Sequence, residues 1–129
     1  ELGMNVDASW IFRGENSIEG GVQASEAYCR LKGAPSVIFC DSDSMALGAM
    51  YTFHKRGIRL PDDVEFIAIQ LLEKSFTKYA IPPITTIAMP TQKMAKCALD
   101  VIRKLILNPL TEPVHELIEP NLDIRETFQ

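Results

Sequence analysis

The chain has 129 residues, of which 47% are hydrophobic and 23% charged, and its formal net charge is -4. A chain of this length suffices for one hydrophobic core, and it holds no apolar run near the roughly 20 residues that a membrane span requires. We therefore expect no membrane partner. The acidic balance supplies no basic face to neutralise phosphates, so we also expect no DNA binding by these residues.

The three cysteines, Cys29, Cys40 and Cys97, are odd in number and widely spaced. Since buried thiols behave as small hydrophobes, this usage favours a reducing, cytoplasmic location over a disulfide framework. His54 and His115 are far apart and join no cluster of cysteines or histidines. We therefore predict no metal and no other cofactor.

The first half of the chain alternates predicted strands and helices. In chain order these are a strand at 10–13, a helix at 17–32, a strand at 36–40 and a helix at 43–56. Asn16 and Asp43 are predicted to cap the two helices, because such side chains accept hydrogen bonds from the first helical N–H groups. Gly33 and Gly57 follow the two helices as expected of C-terminal caps. The short apolar run at 36–40 is typical of a strand buried on both faces.

The second half continues this alternation and adds a long amphipathic helix. Its predicted elements are a turn at 60–63, strands at 65–71 and 84–89, a helix at 91–107, and short strands at 114–118 and 122–125. The apolar face of the long helix comprises Met94, Cys97, Ala98, Val101, Ile102, Leu105 and Ile106. Strands that alternate with helices predict an α/β fold in which helices flank a parallel sheet.

A ligand site is expected at one edge of this sheet. Small ligands of open parallel sheets bind beyond the carboxyl ends of the strands, where loops and helix N-termini offer unpaired N–H groups. Three such ends are predicted, at 14–17, 41–44 and 70–73. Polar side chains at these positions are expected to converge on one cleft.

The motifs of an enzyme are missing from the sequence. Ser42 lies outside any Gly-x-Ser-x-Gly elbow, and no motif places a histidine to activate it. There is also no phosphate loop and no nucleotide fingerprint. Asp62 and Asp63 fall at the opposite strand end from Asp41 and Asp43, so the four carboxylates are not expected to share a metal or acid–base site. The sequence predicts a binding protein without catalytic residues.

Three phrases in fixed order resemble the effector-binding domain of the lactose repressor and galactose repressor family. They are Asp-Ser-Met-Ala-Leu-Gly-Ala-Met at 43–50, Gly-Ile-Arg-Leu-Pro-Asp-Asp-Val at 57–64 and Pro-Pro-Ile-Thr-Thr-Ile at 82–87, joined by the closing Glu-Pro-Asn-Leu-Asp-Ile-Arg at 119–125. The resemblance implies the C-terminal subdomain of a type I periplasmic-binding-protein-like fold, present as a partial domain.

The resemblance also implies a division of the chain. Residues 1–82 and 118–129 belong to the C-terminal subdomain, whereas 83–117 cross into an N-terminal subdomain that is missing here. The apolar face of the helix at 91–107 would then lack its usual sheet. Because an apolar stripe of this size rarely stays exposed, we expect it to pack on another copy or to be loosely held.

Family members are regulators rather than enzymes. They bind a sugar or related metabolite between two subdomains, pair as homodimers, and bind operator DNA through a helix-turn-helix domain ahead of the effector-binding domain. The resemblance implies that ligand-driven closure controls operator affinity here too. The alternative is a periplasmic sugar-binding protein of an ABC transporter, against which the unpaired cysteines and the Pro-Asp-Asp-Val phrase argue.

The resemblance assigns two sets of functional residues. The effector-binding set is Asn16, Ser42, Gln70, Arg13 and Asp43, and the dimer set is Met50, Tyr51, His54 and Tyr79. Asn16 and Asp43 have the alternative role of helix caps alone, and the alternative for Arg13 is a solvated surface residue. Gln70 replaces a carboxylate of the family, and it donates hydrogen bonds as well as accepting them. The replacement favours an acidic or phosphorylated effector over a neutral sugar.

Overall fold

The computed structural model describes residues 3, 6–71, 76–109 and 112–129. Within these ranges lie α1 (Ile18–Tyr28), β1 (Val37–Cys40), α2 (Asp43–Arg56), β2 (Glu65–Gln70), β3 (Thr85–Ala88), α3 (Thr91–Leu107) and β4 (Asn121–Asp123), with short 3₁₀ helices at Ala8–Trp10 and Phe76–Tyr79. The predicted α/β class is confirmed.

The four strands form one sheet in the order β1-β2-β3-β4. The first three run parallel, with Cys40 opposite Ala68 and Gln70 opposite Ala88, and β4 is antiparallel to β3. Parallel neighbours need a long connection, which α2 supplies between β1 and β2. The prediction of a mainly parallel sheet is therefore confirmed, with β4 as the antiparallel edge.

The hydrophobic core lies between α2 and one face of the sheet. Phe53 of α2 meets Phe66 of β2 edge to face with ring centroids 6.2 Å apart, and Tyr28 meets Phe53 at 5.7 Å. Such pairs contribute about 0.5–1.5 kcal/mol beyond the area they bury. The buried apolar cluster comprises Tyr28, Ala46, Ala49, Met50, Phe53, Val64, Phe66, Ala68 and Ile84.

Helix α1 packs closely on α2 through glycines. A Cβ atom added at Gly21 would lie 2.1 Å from the carbonyl oxygen of Met45, and one at Gly48 would lie 2.0 Å from that of Ile18. No real Cβ atom approaches backbone so closely, so these positions require glycine for packing. The two backbones therefore lie in direct contact.

The opposite face of the sheet is largely uncovered. Val37, Phe39 and Leu122 are 44%, 57% and 60% exposed, and the strand register places them on the face opposite Phe66. The prediction that the strand at 36–40 is buried on both faces is wrong. β1 is an edge strand that pairs only with β2 among the described strands.

Helix α3 begins and ends where the sequence predicts, yet none of its residues is buried. Leu99, Ile102 and Ile106 are 67%, 52% and 72% exposed. Its amphipathic pattern thus determines a helix with an apolar face that has no partner within the described residues.

Several local predictions are wrong for identifiable reasons. Residues 10–13 form no strand, since no neighbouring strand pairs with them, and 114–118 likewise have no strand structure. Ser17 caps α1 instead of Asn16, because the Ser17 hydroxyl accepts from the Gly20 N–H at 3.0 Å. Ser42 rather than Asp43 caps α2.

Two boundaries also differ from prediction. Helix α1 ends at Tyr28, well before Gly33, although Gly33 does have a positive φ of 72°. Residues 85–88 were predicted to leave this subdomain with the rest of 83–117, but they form β3 between β2 and β4. The part of the chain that departs from the sheet therefore begins after Ala88.

Candidate ligand-binding site

The parallel register brings two predicted ligand contacts to one edge of the sheet. Strands β1 and β2 both end there, and Cys40 pairs with Ala68. Ser42 lies two residues beyond Cys40, just as Gln70 lies two residues beyond Ala68. The carboxyl ends of these strands and the N-terminus of α2 thus meet at this edge, as expected for an open α/β sheet.

Ser42 and Asp43 are built into the start of α2. Ser42 is only 1% exposed. Its hydroxyl oxygen accepts a hydrogen bond from the Met45 N–H at 3.3 Å, which satisfies one of the free N–H donors of the first helical turn. Asp43 is 6% exposed and is the first helical residue, where its carboxylate interacts favourably with the helix dipole. Both residues have a structural role at this edge of the sheet.

Gln70 ends β2 and is almost buried, with 8% of its surface exposed. Its side-chain carbonyl oxygen accepts from the Thr77 hydroxyl at 2.7 Å and, more weakly, from the Thr86 hydroxyl at 3.4 Å. Gln70 is thus held by the segment that follows β2 and by the neighbouring strand.

Arg125 extends this group of polar side chains. Its Nη1 donates to the Ile84 carbonyl oxygen at 2.6 Å and lies 3.2 Å and 3.3 Å from the hydroxyl oxygens of Thr86 and Thr77. Its Nη2 pairs with Asp123 at 3.1 Å. Thr77 and Thr86 are both fully buried, so the network lies inside the protein directly behind Gln70.

Arg13 and Asn16 are exposed residues that precede α1. Among the hydrogen bonds and ion pairs of the described part of the chain, none joins either residue to Ser42 or Gln70. Their predicted contribution to the same cleft stays a prediction.

The predicted dimer residues differ in exposure. Tyr51 and Tyr79 are 57% and 74% exposed and His54 is exposed, whereas Met50 is 8% exposed and belongs to the core. Met50 and His54 help to line an open groove of about 430 Å³, whereas Tyr51 lines a separate groove beside α1. Tyr51, His54 and Tyr79 thus each expose area for contact, while Met50 offers little.

Three features of the described residues concern metal ligands, thiol chemistry and membrane spans. No three His, Cys, Asp or Glu side chains among them are grouped to hold a metal ion. Burial raises the pKa of Cys40 to about 12, so this thiol near the edge stays protonated and is a poor nucleophile. None of the described helices is long and apolar enough to span a membrane.

Sequence reasoning overlooked Thr77, Thr86 and Arg125 as parts of the site. A signal was present, because the Thr-Thr phrase at 85–86 and the closing phrase that ends at Arg125 are among the residues of the family resemblance. Neither phrase indicates by itself that these side chains meet Gln70, since 39 residues separate Thr86 from Arg125 along the chain.

The open parallel sheet, with polar side chains and a helix N-terminus at its carboxyl edge, defines a half of a periplasmic-binding-protein-like ligand domain. Residues 1–128 match the family model described as periplasmic binding protein-like domain. The chain belongs to this family, and its assignment to the effector-binding domain of lactose repressor and galactose repressor regulators is confirmed.

Similar proteins agree with this assignment. The chain is 32% identical over 129 residues to the HTH-type transcriptional repressor PurR of Photobacterium profundum, covering all of this chain and 38% of that protein. A LacI family transcription regulator from Clostridium acetobutylicum superimposes with a TM-score of 0.82 at 36% identity, over 95% of this chain and 46% of that one. The transcriptional regulator CelR in complex with cellobiose gives a TM-score of 0.85 at 28% identity, over 97% and 38%. The chain thus spans less than half the length of these proteins.

Proposed function

We propose that the chain is the effector-binding and dimerisation part of a transcriptional regulator, with the effector bound at the sheet edge that carries Ser42 and Gln70. The observation that carries this proposal is the parallel pairing of Cys40 with Ala68. It brings Ser42 and Gln70, each two residues further along, to the same edge of the sheet. The similar proteins include a transcriptional repressor and a transcriptional regulator bound to cellobiose, and this favours a regulatory role over a role in transport.

The proposal extends to the whole protein. A second subdomain closes over the effector and covers the apolar face of α3, with 89–117 as the connecting stretch. A helix-turn-helix domain elsewhere in the protein binds operator DNA in the cytoplasm. Effector binding changes operator affinity only if it differs between the open and closed states, so closure is the step that transmits the signal.

The test is a calorimetric titration of the full-length protein with ribose, cellobiose and glucuronate, followed by gel-shift assays on the DNA upstream of its own gene. We expect at least one ligand to bind and to change DNA affinity, and Gln70→Glu to alter the ligand affinity. Gln23→Glu makes the same chemical change at an exposed position of α1 and is expected to leave ligand affinity unaltered. A protein that binds ligand but shifts no DNA in the gel would favour the alternative of a periplasmic sugar-binding protein.

We further propose that two copies pair through the exposed surface formed by Tyr51, His54 and Tyr79. A two-fold interface uses the same patch on both subunits, so one substitution acts twice. Tyr79→Asp is expected to shift the sedimentation profile of the full-length protein from dimer to monomer. Ile124→Asp, at a residue that is 66% exposed elsewhere on the chain, is the control. An unchanged dimer in Tyr79→Asp would reject this surface.

A further inference from the structure

The polar network behind Gln70 has a consequence for the kind of effector. We propose that Thr77, Thr86 and Arg125 position the Gln70 side chain so that its NH₂ group faces the ligand, and that the site therefore selects effectors with a hydrogen-bond acceptor there. The inference rests on the proposed function, because it assigns a chemical class to the ligand of that same site.

The first step concerns Arg125. A guanidinium group has donors only, so each oxygen it contacts must accept. Its Nη1 lies within 3.3 Å of the hydroxyl oxygens of both Thr77 and Thr86. Both hydroxyl oxygens thus face Arg125 as acceptors, and their own protons remain for a different partner.

The second step identifies that partner. Oε1 of Gln70 accepts from Thr77 at 2.7 Å and from Thr86 at 3.4 Å, of which the Thr77 bond is the stronger. With the amide turned over, its NH₂ group would offer these two hydroxyl protons no acceptor, because an amide NH₂ group only donates. The network therefore favours the carbonyl end of Gln70 pointing into the protein.

The third step concerns the other end of the amide. Among the described residues, no buried side-chain nitrogen or oxygen lacks a partner, and the hydrogen bonds of the Gln70 side chain run to Oε1. Its Nε2 therefore lies where solvent reaches the exposed 8% of the residue, at the end of β2. An NH₂ group offers only donors, so it suits a carboxylate, phosphate or carbonyl oxygen of a ligand.

Orientation is tested without any ligand by NMR measurement of side-chain amide hydrogen exchange in the 129-residue chain. We expect the Gln70 NH₂ protons to exchange within about tenfold of those of the exposed Gln23, as solvent-accessible amides do. Gln70→Glu identifies the resonances by removing them. Protection of the Gln70 NH₂ group by about a hundredfold or more would show it buried and overturn the proposal.

Ligand class is tested by calorimetry on the full-length protein with two matched pairs, glucuronate against glucose and galacturonate against galactose. We expect the acid of at least one pair to bind about fivefold or more tightly, the size of one hydrogen bond near 1 kcal/mol. Equal or tighter binding of the neutral sugars would overturn the selection. No binding of any of the four would reject the proposed site, while amide exchange still decides the orientation.

The positioning role is tested with Thr77→Val and Thr77→Ser. Valine has nearly the shape of threonine but no hydroxyl group, so it is expected to bring the acid-to-sugar affinity ratio close to one. Serine keeps the hydroxyl group and is expected to retain the ratio. A role in folding alone would lower the stability of Thr77→Val without changing the ratio, and that result would contradict the proposal.

Discussion

Helices α2 and α3 are both amphipathic, yet the two have opposite fates in the fold. Helix α2 buries eight of its residues, among them Phe53, whereas α3 buries none. Both helices end as their sequences predict, α2 at a left-handed Gly57 with φ of 72° and α3 before Asn108-Pro109. The apolar stripe of a helix therefore determines which face can be buried. Whether that face is buried depends on other parts of the structure that pack against it.

The largest effect is expected for Phe53→Ala in the centre of the core. Phe53 is 1% exposed, and truncating such a residue costs about 3–5 kcal/mol in unfolding free energy through lost burial and a cavity. Ile102→Ala on α3 is the matched control and should cost less than about 0.5 kcal/mol. Urea denaturation followed by circular dichroism measures both. Similar losses for the two variants would mean that α3 is packed as tightly as α2.

The thiol reactivities of Cys40, at the end of β1, and Cys97, on α3, are expected to differ because the two side chains differ in burial. Because burial raises the pKa of Cys40 to about 12, almost none of this thiol is ionised at pH 8. Cys97 lies on the uncovered α3, and we expect it to react with iodoacetamide about a hundredfold faster than Cys40. The rate for Cys40 should rise with pH towards its raised pKa, since only the thiolate reacts. Mass spectrometry of timed digests gives both rates, and equal rates would contradict the burial of Cys40.

The contact between α1 and α2 predicts a smaller effect for Gly48→Ala. The new Cβ atom would lie 2.0 Å from the Ile18 carbonyl oxygen, so the helices must separate at a cost of about 1–3 kcal/mol. Gly14→Ala is the control, since its Cβ atom would meet the Gly20 carbonyl oxygen only at 3.3 Å. Thermal unfolding of both variants measures the difference. A Gly48→Ala variant as stable as Gly14→Ala would show that the helices separate easily.

The smallest effect is expected for Ile106→Lys on α3 in dilute solution. Ile106 is 72% exposed, so its replacement should change the unfolding free energy by less than about 0.5 kcal/mol. Urea denaturation of the wild-type chain and of Ile106→Lys at rising protein concentration tests whether α3 has a partner in a second copy. If α3 packs on a second copy, the wild-type chain becomes more stable with concentration and Ile106→Lys does not.

Local features close in sequence were predicted well. The turn at 60–63, the ends of α3 and the left-handed Gly57 depend on residues within a few positions of each other, and the structure contains all three. The choice between Ser42 and Asp43 as the cap of α2 was predicted wrongly. Both residue types are good caps, so neighbouring backbone geometry decides between them.

Features that join distant parts of the chain were not predictable. The exposure of Phe39 depends on whether a strand or helix lies beside β1, which its apolar pattern cannot indicate. Burial of Gln70 behind Thr86 and Arg125 likewise requires β3 and the C-terminal residues to pack beside β2. The identity of residue 70 alone therefore does not show whether the Gln70 side chain donates to a ligand or accepts from it.

The sequence by itself determined the α/β class, the family and the sheet edge where polar residues gather, because periodicity, caps and short motifs are local properties of a chain. Only the tertiary structure decided that α2 is buried while α3 is bare, and that the carbonyl end of Gln70 is bound by Thr77. The physical reason is that burial and hydrogen-bond partners are set by which elements meet in space, and contacts between residues as far apart as Gln70, Thr86 and Arg125 form only when the whole sheet assembles.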